Sequence, residues 1–313
     1  MSNEIVILDG IYANPGDLSW ENLDRYGKVR IYDRTADEDV IDRCADAEVV
    51  VTNKVRLGKD HFEQLPNLKL IVISATGTDH IDLDAAKEHD ILVKNVKGYS
   101  THAVAQQVFS LIFALTNHVE KHDQSVQKGD WNRDKGFSYT LNTIHEVRDK
   151  TLGIYGFGQI GQEVASIGLA FGMRILAVSQ HADPKSYPDY GFGTLEEMIS
   201  TADIVSLHAP LTDKNHQIID QTLINSMKPN ALLINTARGA LVNEQDLASA
   251  LKQNRIAGAG LDVLSQEPPA KDHPLIGLDN CLLTPHLAWA SKEARTKLIN
   301  AIVTHVSSYY SNK

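Results

Sequence analysis

The feature that most limits how this chain can fold is a recurrence of short β-branched runs separated by segments with helical spacing. The first series comprises Glu4–Asp9, Val29–Asp33, Glu48–Asn53, Lys69–Ser74 and Ile91–Val96. Segments such as Asp37–Cys44 and Asp82–His89 lie between them, the alternation expected of a parallel sheet covered by helices. A second series follows at Thr151–Phe157, Arg174–Ser179, Asp203–Ala209, Ala231–Ala237, Gly258–Val263 and Cys281–His286. Six such strands fit a doubly wound sheet. Between the two series, Thr101–Glu120 places Val104, Val108, Leu111, Ile112 and Leu115 at helical spacing, with Ala105, Phe109 and Phe113 widening the stripe. A helix apolar on most sides is buried on most sides, and this one reads as a connector between domains and part of a subunit interface.

At 313 residues and 42% hydrophobic content, the chain has enough apolar side chain for two cores. Its apolar runs are strand-sized, short of the roughly 20 residues that a membrane span needs. Met1–Gly10 enters a strand pattern with no secretion signal, so the expected compartment is the cytoplasm. Cys44 and Cys281 stand alone, which excludes a disulfide framework, a zinc site or a redox pair. A net charge of −10 with no run of Lys and Arg argues against a nucleic-acid partner and points to small molecules.

The strand Thr151–Phe157 runs into Gly156-Phe157-Gly158-Gln159-Ile160-Gly161, and a helix pattern at Ile160, Val164, Ile167 and Phe171 follows. In that order Gly156 permits a tight turn, Gly158 lets backbone approach a pyrophosphate, and Gly161 lets helix pack on strand. The helix N-terminus adds N–H donors and partial positive charge. The next strand should end on an acid that meets the adenosine ribose, but Ser179 stands there. The usual barrier to a 2′-phosphate is thus absent. Gln180, His181 and Lys185 supply no arginine clamp either, so NAD(H) and NADP(H) both stay open.

Three ionisable residues follow later strands: Arg238 in Asn235-Thr236-Ala237-Arg238-Gly239, Glu267 after Gly260-Leu261-Asp262-Val263, and His286 in Thr284-Pro285-His286. Carboxyl ends of parallel strands open onto the ligand crevice, so distant positions can converge there. Reducing a keto acid needs a cation for the substrate oxygens and an acid to protonate the new alkoxide. Arg238 and His286 suit those roles, and Glu267 would hold the imidazole and favour its charged form. Taken singly, each has a plainer reading: Arg238 as a salt-bridge partner, Glu267 as a solvated loop residue, His286 as one of 13 histidines. Metal chemistry finds no support, because His145-Glu146 is followed by Asp149 where a zinc helix would need a second histidine.

Four blocks resemble the D-2-hydroxyacid dehydrogenases, and within them the glycerate dehydrogenase or hydroxypyruvate reductase group. They are Ser74-Ala75-Thr76-Gly77-Thr78-Asp79-His80-Ile81-Asp82, Gly98-Tyr99-Ser100-Thr101-His102-Ala103-Val104-Ala105-Gln106, the glycine turn with Leu152-Gly153-Ile154 before it, and the stretch from Asn235 through Pro268 to His286. His286-Leu287-Ala288-Trp289-Ala290 is similar to the glycerate group in particular. The resemblance implies an α/β chain of two doubly wound parallel-sheet domains. One is a flavodoxin-like substrate domain of residues 1–100 plus 291–313, and the other a Rossmann dinucleotide-binding domain of residues 101–290. It implies that the N–H groups of Ala75, Thr76 and Gly77 receive the substrate carboxylate beside Arg238. It further implies Asp262 at the nicotinamide carboxamide, Thr236, Ala237, Pro210 and Val104 along the cofactor, and Gln159 with Ile160 at the pyrophosphate. A homodimer acting on a small 2-keto or 2-hydroxy acid, hydroxypyruvate or glyoxylate first, is the expectation. Ser179 departs from NAD-preferring relatives, which carry aspartate there.

Three other enzymes compete with that reading. D-lactate-type dehydrogenases share the pattern; phosphoglycerate dehydrogenases would want more positive charge near the cleft; formate dehydrogenases carry glutamine where Glu267 stands. A dinucleotide-sensing binding protein on the same fold is the competitor from another class, and turnover of any keto acid separates it from an enzyme.

Overall fold

The computed structural model describes residues 3–313 and divides into two compact units, one reaching to Ser100 and resuming at Trp289–Lys313, the other Thr101–Ala288. In the first unit the strands are β1 (Glu4–Ile7), β2 (Lys28–Ile31), β3 (Val49–Thr52), β4 (Leu70–Ile73) and β5 (Leu92–Asn95). They pair in the order β2-β1-β3-β4-β5, every pair parallel. That is the flavodoxin-like order. The central strands β1, β3 and β4 are buried at every residue, whereas the edge strand β2 is half-exposed. Runs such as Val49-Val50-Val51 suit a sheet covered on both faces, where no alternation with polar residues is needed.

Helices α1 (Val40–Cys44), α2 (Lys59–Phe62) and α3 (Leu83–Glu88) connect these strands. The expected helix from Asp37 divides, because Asp37–Asp39 forms a 3₁₀ turn before α1 starts. In the second unit α4 (Thr101–Asn117) and α5 (Val119–Gln127) replace the single helix expected over Thr101–Glu120. The break falls at His118, which adopts the left-handed conformation with φ 51°. No glycine marks the site, so periodicity could not reveal it. Ala105, Val108, Leu111 and Ile112 of α4 are spent inside this unit, in one core with Leu152, Ile154 and Ile234. These residues of α4 therefore serve its own sheet.

The second sheet contains β6 (Thr151–Tyr155), β7 (Arg174–Val178), β8 (Gly191–Phe192), β9 (Ile204–Leu207), β10 (Leu232–Asn235), β11 (Gly258–Leu261) and β12 (Cys281–Leu283). Its order is β12-β11-β10-β9-β6-β7-β8, again parallel throughout. The reversal between β6 and β9 is the switch point of a Rossmann sheet. The edge strand β8 has two residues, too few to leave a periodic trace in the sequence. Helices α6 (Gln159–Ala170), α7 (Leu195–Thr201), α8 (Gln221–Ser226) and α9 (Glu244–Lys252) cover it. The last three are each capped by a side-chain oxygen, from Thr194, Asp220 and Asn243.

The final helix α10 (Lys292–Ser311) belongs to the first unit and starts at Ser291, whose hydroxyl accepts from Ala294 N at 3.1 Å. Ala294, Leu298, Ile302 and Val306 form its buried stripe at four-residue spacing. Arg295 grips Asp17 with two bonds of 2.6 and 2.9 Å, and Tyr309 donates to Glu48 at 2.7 Å. No helix of the described residues is long and apolar enough to cross a membrane.

Leu233 lies at the centre of β10 with no exposed surface, packed in the largest core of the second unit. Leu233→Ala should cost about 2–5 kcal/mol, read as a lowered urea midpoint for that unit's transition.

Candidate active site

The glycine turn follows β6 as a strand-to-helix corner. Gly156 has φ 97° and donates to Val178 O at 3.0 Å, and a Cβ there would lie 2.5 Å from Ala209 N. Only glycine meets both demands. Gly161 allows the close approach of helix and strand, since its Cβ would come 2.2 Å from Gly156 O. At Gly158 a Cβ would meet nothing within 4 Å, so its backbone faces open space. The helical ladder of α6 begins with Gln162 N donating to Gly158 O. The N–H groups of Gln159, Ile160 and Gly161 accordingly have no acceptor among the described residues. Thr236 Oγ1 is likewise shielded from solvent and bonds to no described group. A nucleotide's phosphates and polar edge would satisfy these donors, so the residues present fit the group that the turn predicts.

Ser179 directly follows β7, and its hydroxyl is engaged: it accepts from His181 N at 3.2 Å and Ala182 N at 3.1 Å. It shapes the turn that follows β7 and still has its own proton to donate. Pro210 stands in the exposed turn beyond β9, where its carbonyl accepts from Asn215 Nδ2 at 2.8 Å. Val104 lies in the first turn of α4 and is buried.

The structure joins His286 and Glu267 directly. His286 Nδ1 lies 2.6 Å from Glu267 Oε2, both side chains about one-third exposed or less, and Leu264 N donates to the other oxygen of Glu267 at 3.0 Å. Arg238 follows β10, and its Nη1 donates to Ala237 O at 2.8 Å. Asn235, almost wholly buried, holds this turn from both ends: its Oδ1 accepts from Ala237 N at 3.0 Å and its Nδ2 donates to Arg238 O at 2.9 Å.

His286 itself has φ 52°, an uncommon conformation for a residue with a side chain. Asp262 imposes it. His286 N donates to Asp262 O at 2.8 Å, while the Asp262 carboxylate accepts from Thr284 Oγ1 at 2.5 Å, Leu287 N at 3.0 Å and Ala288 N at 2.8 Å. Burial pushes the Asp262 carboxyl above the usual carboxylate range, against the pull of those donors. The sequence placed Asp262 against the cofactor and gave no sign of this second task.

Ala75, Thr76 and Gly77 belong to the first unit, at the carboxyl end of β4. Asn53 Nδ2 donates to Ser74 O at 2.6 Å, Asn95 Nδ2 donates to Thr76 O at 2.6 Å, and Thr76 Oγ1 donates to Val96 O at 2.9 Å. The loop is thus held by its carbonyls, and the N–H groups of Ala75, Thr76 and Gly77 donate to nothing among the described residues. Asp9 fixes Asn53 in turn, accepting from Asn53 N at 2.7 Å and Lys54 N at 2.6 Å. Burial raises the Asp9 carboxyl, while those backbone donors pull it down. Sequence reasoning missed Asp9 and Asn95, since a polar residue at a strand end carries no periodic signal.

Residues 109–288 match the family signature described as D-isomer specific 2-hydroxyacid dehydrogenase, NAD binding domain. The chain belongs to this family. Hydroxypyruvate reductase of Blautia hydrogenotrophica is 37% identical over 98% of the chain and 96% of its own length. Glycerate dehydrogenase of Methylorubrum extorquens is 40% identical over 88% of the chain and 87% of its own length. Among solved structures, an acyclic imino acid reductase in complex with NADPH and D-Arg superposes with a TM-score of 0.86 at 35% identity, covering 99% of this chain and 98% of that one. This dehydrogenase therefore binds a nicotinamide cofactor and oxidises or forms a CH–OH group on a 2-hydroxy acid.

His208 follows β9 beside the glycine turn, its Nε2 2.8 Å from Ser206 Oγ. Burial drives the imidazole down to about 3. Against an unfolded value of about 6.5, its contribution to stability is full above that value and is lost as pH falls through about 3. The slope is at most about 1.4 kcal/mol per pH unit. His208→Gln should flatten the fall in urea midpoint between pH 6.5 and 4, and an unchanged slope would show that His208 takes no proton on unfolding.

Proposed function

We propose that this dehydrogenase reduces small 2-keto acids, hydroxypyruvate or glyoxylate first, to D-glycerate or glycolate. The observation that carries the reading is the 2.6 Å contact of His286 Nδ1 with Glu267, which leaves Nε2 as the ring atom for proton transfer. The carboxylate fixes the ring and compensates the imidazolium charge, so that a proton is at hand when the carbonyl oxygen becomes an alkoxide. Arg238 orients the carboxyl end and polarises the carbonyl. The N–H groups of Ala75, Thr76 and Gly77 receive the carboxylate. When bound, the nicotinamide supplies the hydride that, with this proton, completes the reduction. Gly156, Gly158, Gln159, Ile160 and Gly161 take the pyrophosphate, Ser179 meets the adenosine ribose, and Val104, Pro210, Thr236, Ala237 and Asp262 line the cofactor. The hydroxypyruvate reductase and glycerate dehydrogenase among its relatives support this substrate class.

With a serine in place of the ribose acid, and with an NADPH complex among its structural neighbours, both cofactors belong in the test. We further propose that the protein works in the cytoplasm as a homodimer. Exposed Trp131, Phe137, Leu141 and Ile144 support a partner surface, and a monomeric mass in solution would overturn it.

The imino acid reductase neighbour favours a second reading, reduction of the C=N bond of a 2-imino acid. The imine carbon stands at the same oxidation level as the keto carbon, so the hydride and the acid would serve unchanged. Initial rates with hydroxypyruvate, glyoxylate and pyruvate, with and without an amine, each with NADH and NADPH, separate the two. His286→Ala should lower kcat by roughly 10²- to 10⁴-fold. A variant that keeps nearly full rate would remove the proton-transfer role.

A further inference from the structure

The contact between Glu267 and His286 is only as exact as the loop that carries Glu267, and a second ionisable cluster holds that loop from behind. Glu244, the first residue of α9, has a side chain 12% exposed. One of its oxygens accepts from Ser265 N at 2.7 Å, and the other accepts from Ser265 Oγ at 2.5 Å and from His273 Nε2 at 3.1 Å. His273 is 10% exposed, and its Nδ1 accepts from Leu275 N at 3.4 Å. An Nδ1 that accepts carries no proton, so Nε2–H is the donor to Glu244.

Ser265 stands two residues before Glu267 in the same turn, which Leu264 N closes onto Glu267 Oε1. Gly239, next to Arg238, presses the turn from the other side, since a Cβ there would lie 1.9 Å from Leu264 C and 2.2 Å from Ser265 N. The Ser265 backbone is therefore trapped between Gly239 and the Glu244 carboxylate, and a charged acceptor makes that second bond stronger than a neutral one. A partly buried carboxylate bonded to one serine and one histidine is more than helix α9 requires, because Asn243 already caps it through Asp246 N.

We propose that Glu244, oriented by His273, is a positioning residue for the reaction. It fixes the turn from Leu264 to Glu267 through Ser265 so that Glu267 reaches His286 Nδ1. The inference rests on the proton-transfer reading of Glu267 and His286.

The test uses Glu244→Ala, Glu244→Gln and Ser265→Ala in the full chain, each alone and combined with Glu267→Gln, assayed at saturating cofactor with the best keto acid of the panel. Misplacing a reacting group by about 1 Å can cost up to about 10²-fold, so Glu244→Ala should lower kcat by roughly that factor. The KM for cofactor should stay within about twofold, as expected when only a transition-state interaction is lost. Glu244→Gln, which keeps an oxygen for Ser265 N–H, should recover part of the rate, and Ser265→Ala, which removes one hydroxyl, should show the smaller loss in a folded protein. Coupling decides the matter. In the Glu267→Gln background the Glu244 substitutions should have little further effect. An equal loss in both backgrounds, a rise in cofactor KM at unchanged kcat, or no loss at all would overturn the proposal. If His286→Ala and Glu267→Gln themselves keep full rate, the proton-transfer reading falls and the positioning role with it. If those two collapse while Glu244→Ala does not, only the positioning role falls.

Discussion

Parallel pairing of β9 through β12 sets four carboxyl ends along one edge of the second sheet, and Asp262 converts that alignment into chemistry. Its backbone extends the strand β11, its N–H donating to Asn235 O, while its carboxylate gathers the chain leaving β12. Because three donors converge on one buried anion, Thr284 to Ala288 has little freedom, and His286 takes a conformation that it would avoid in isolation. Its orientation is thus inherited from the sheet. The other strand ends obey the same rule with other means, Asn235 using a neutral amide to close the turn before Arg238.

The architecture was legible because parallel strands buried on both faces are written as uninterrupted β-branched runs, and the glycines at 156 and 161 are each required by a separate close contact. The pairing of Glu267 with His286 was also readable, though as a carry-over from relatives rather than from spacing, since 19 positions separate them. Other features had no sequence signature. The break at His118 has no glycine to mark it, β8 is shorter than any period, and Glu244 looks like an ordinary acid in the first turn of a helix. What it does is decided by Ser265 and His273, 21 and 29 positions away, where tertiary packing brings them together.

The two units spend polar groups differently. In the first, Asp9, Asn53 and Asn95 use their side chains to hold carbonyls and turns, and the N–H groups of residues 75–77 are left facing outward as donors. In the second, buried acceptors hold N–H groups and thereby aim side chains. The first arrangement leaves backbone donors unspent, and the second fixes the ring of His286 against Glu267.

The helix α10 is tied to the first unit by Arg295 on Asp17 and by Tyr309 on Glu48, although the whole of the second unit separates them in the chain. On the ribosome, this means that the first sheet emerges with one of its covering elements still unmade. At roughly 5–20 residues per second, about 10 to 40 s pass between the translation of Ser100 and that of Trp289. Through that interval the surface awaiting Leu298, Ile302 and Val306 is bare, whereas the second unit has all its strands once Ala288 is added. The chain thus matures from the middle outward, and the unit that begins first is finished last.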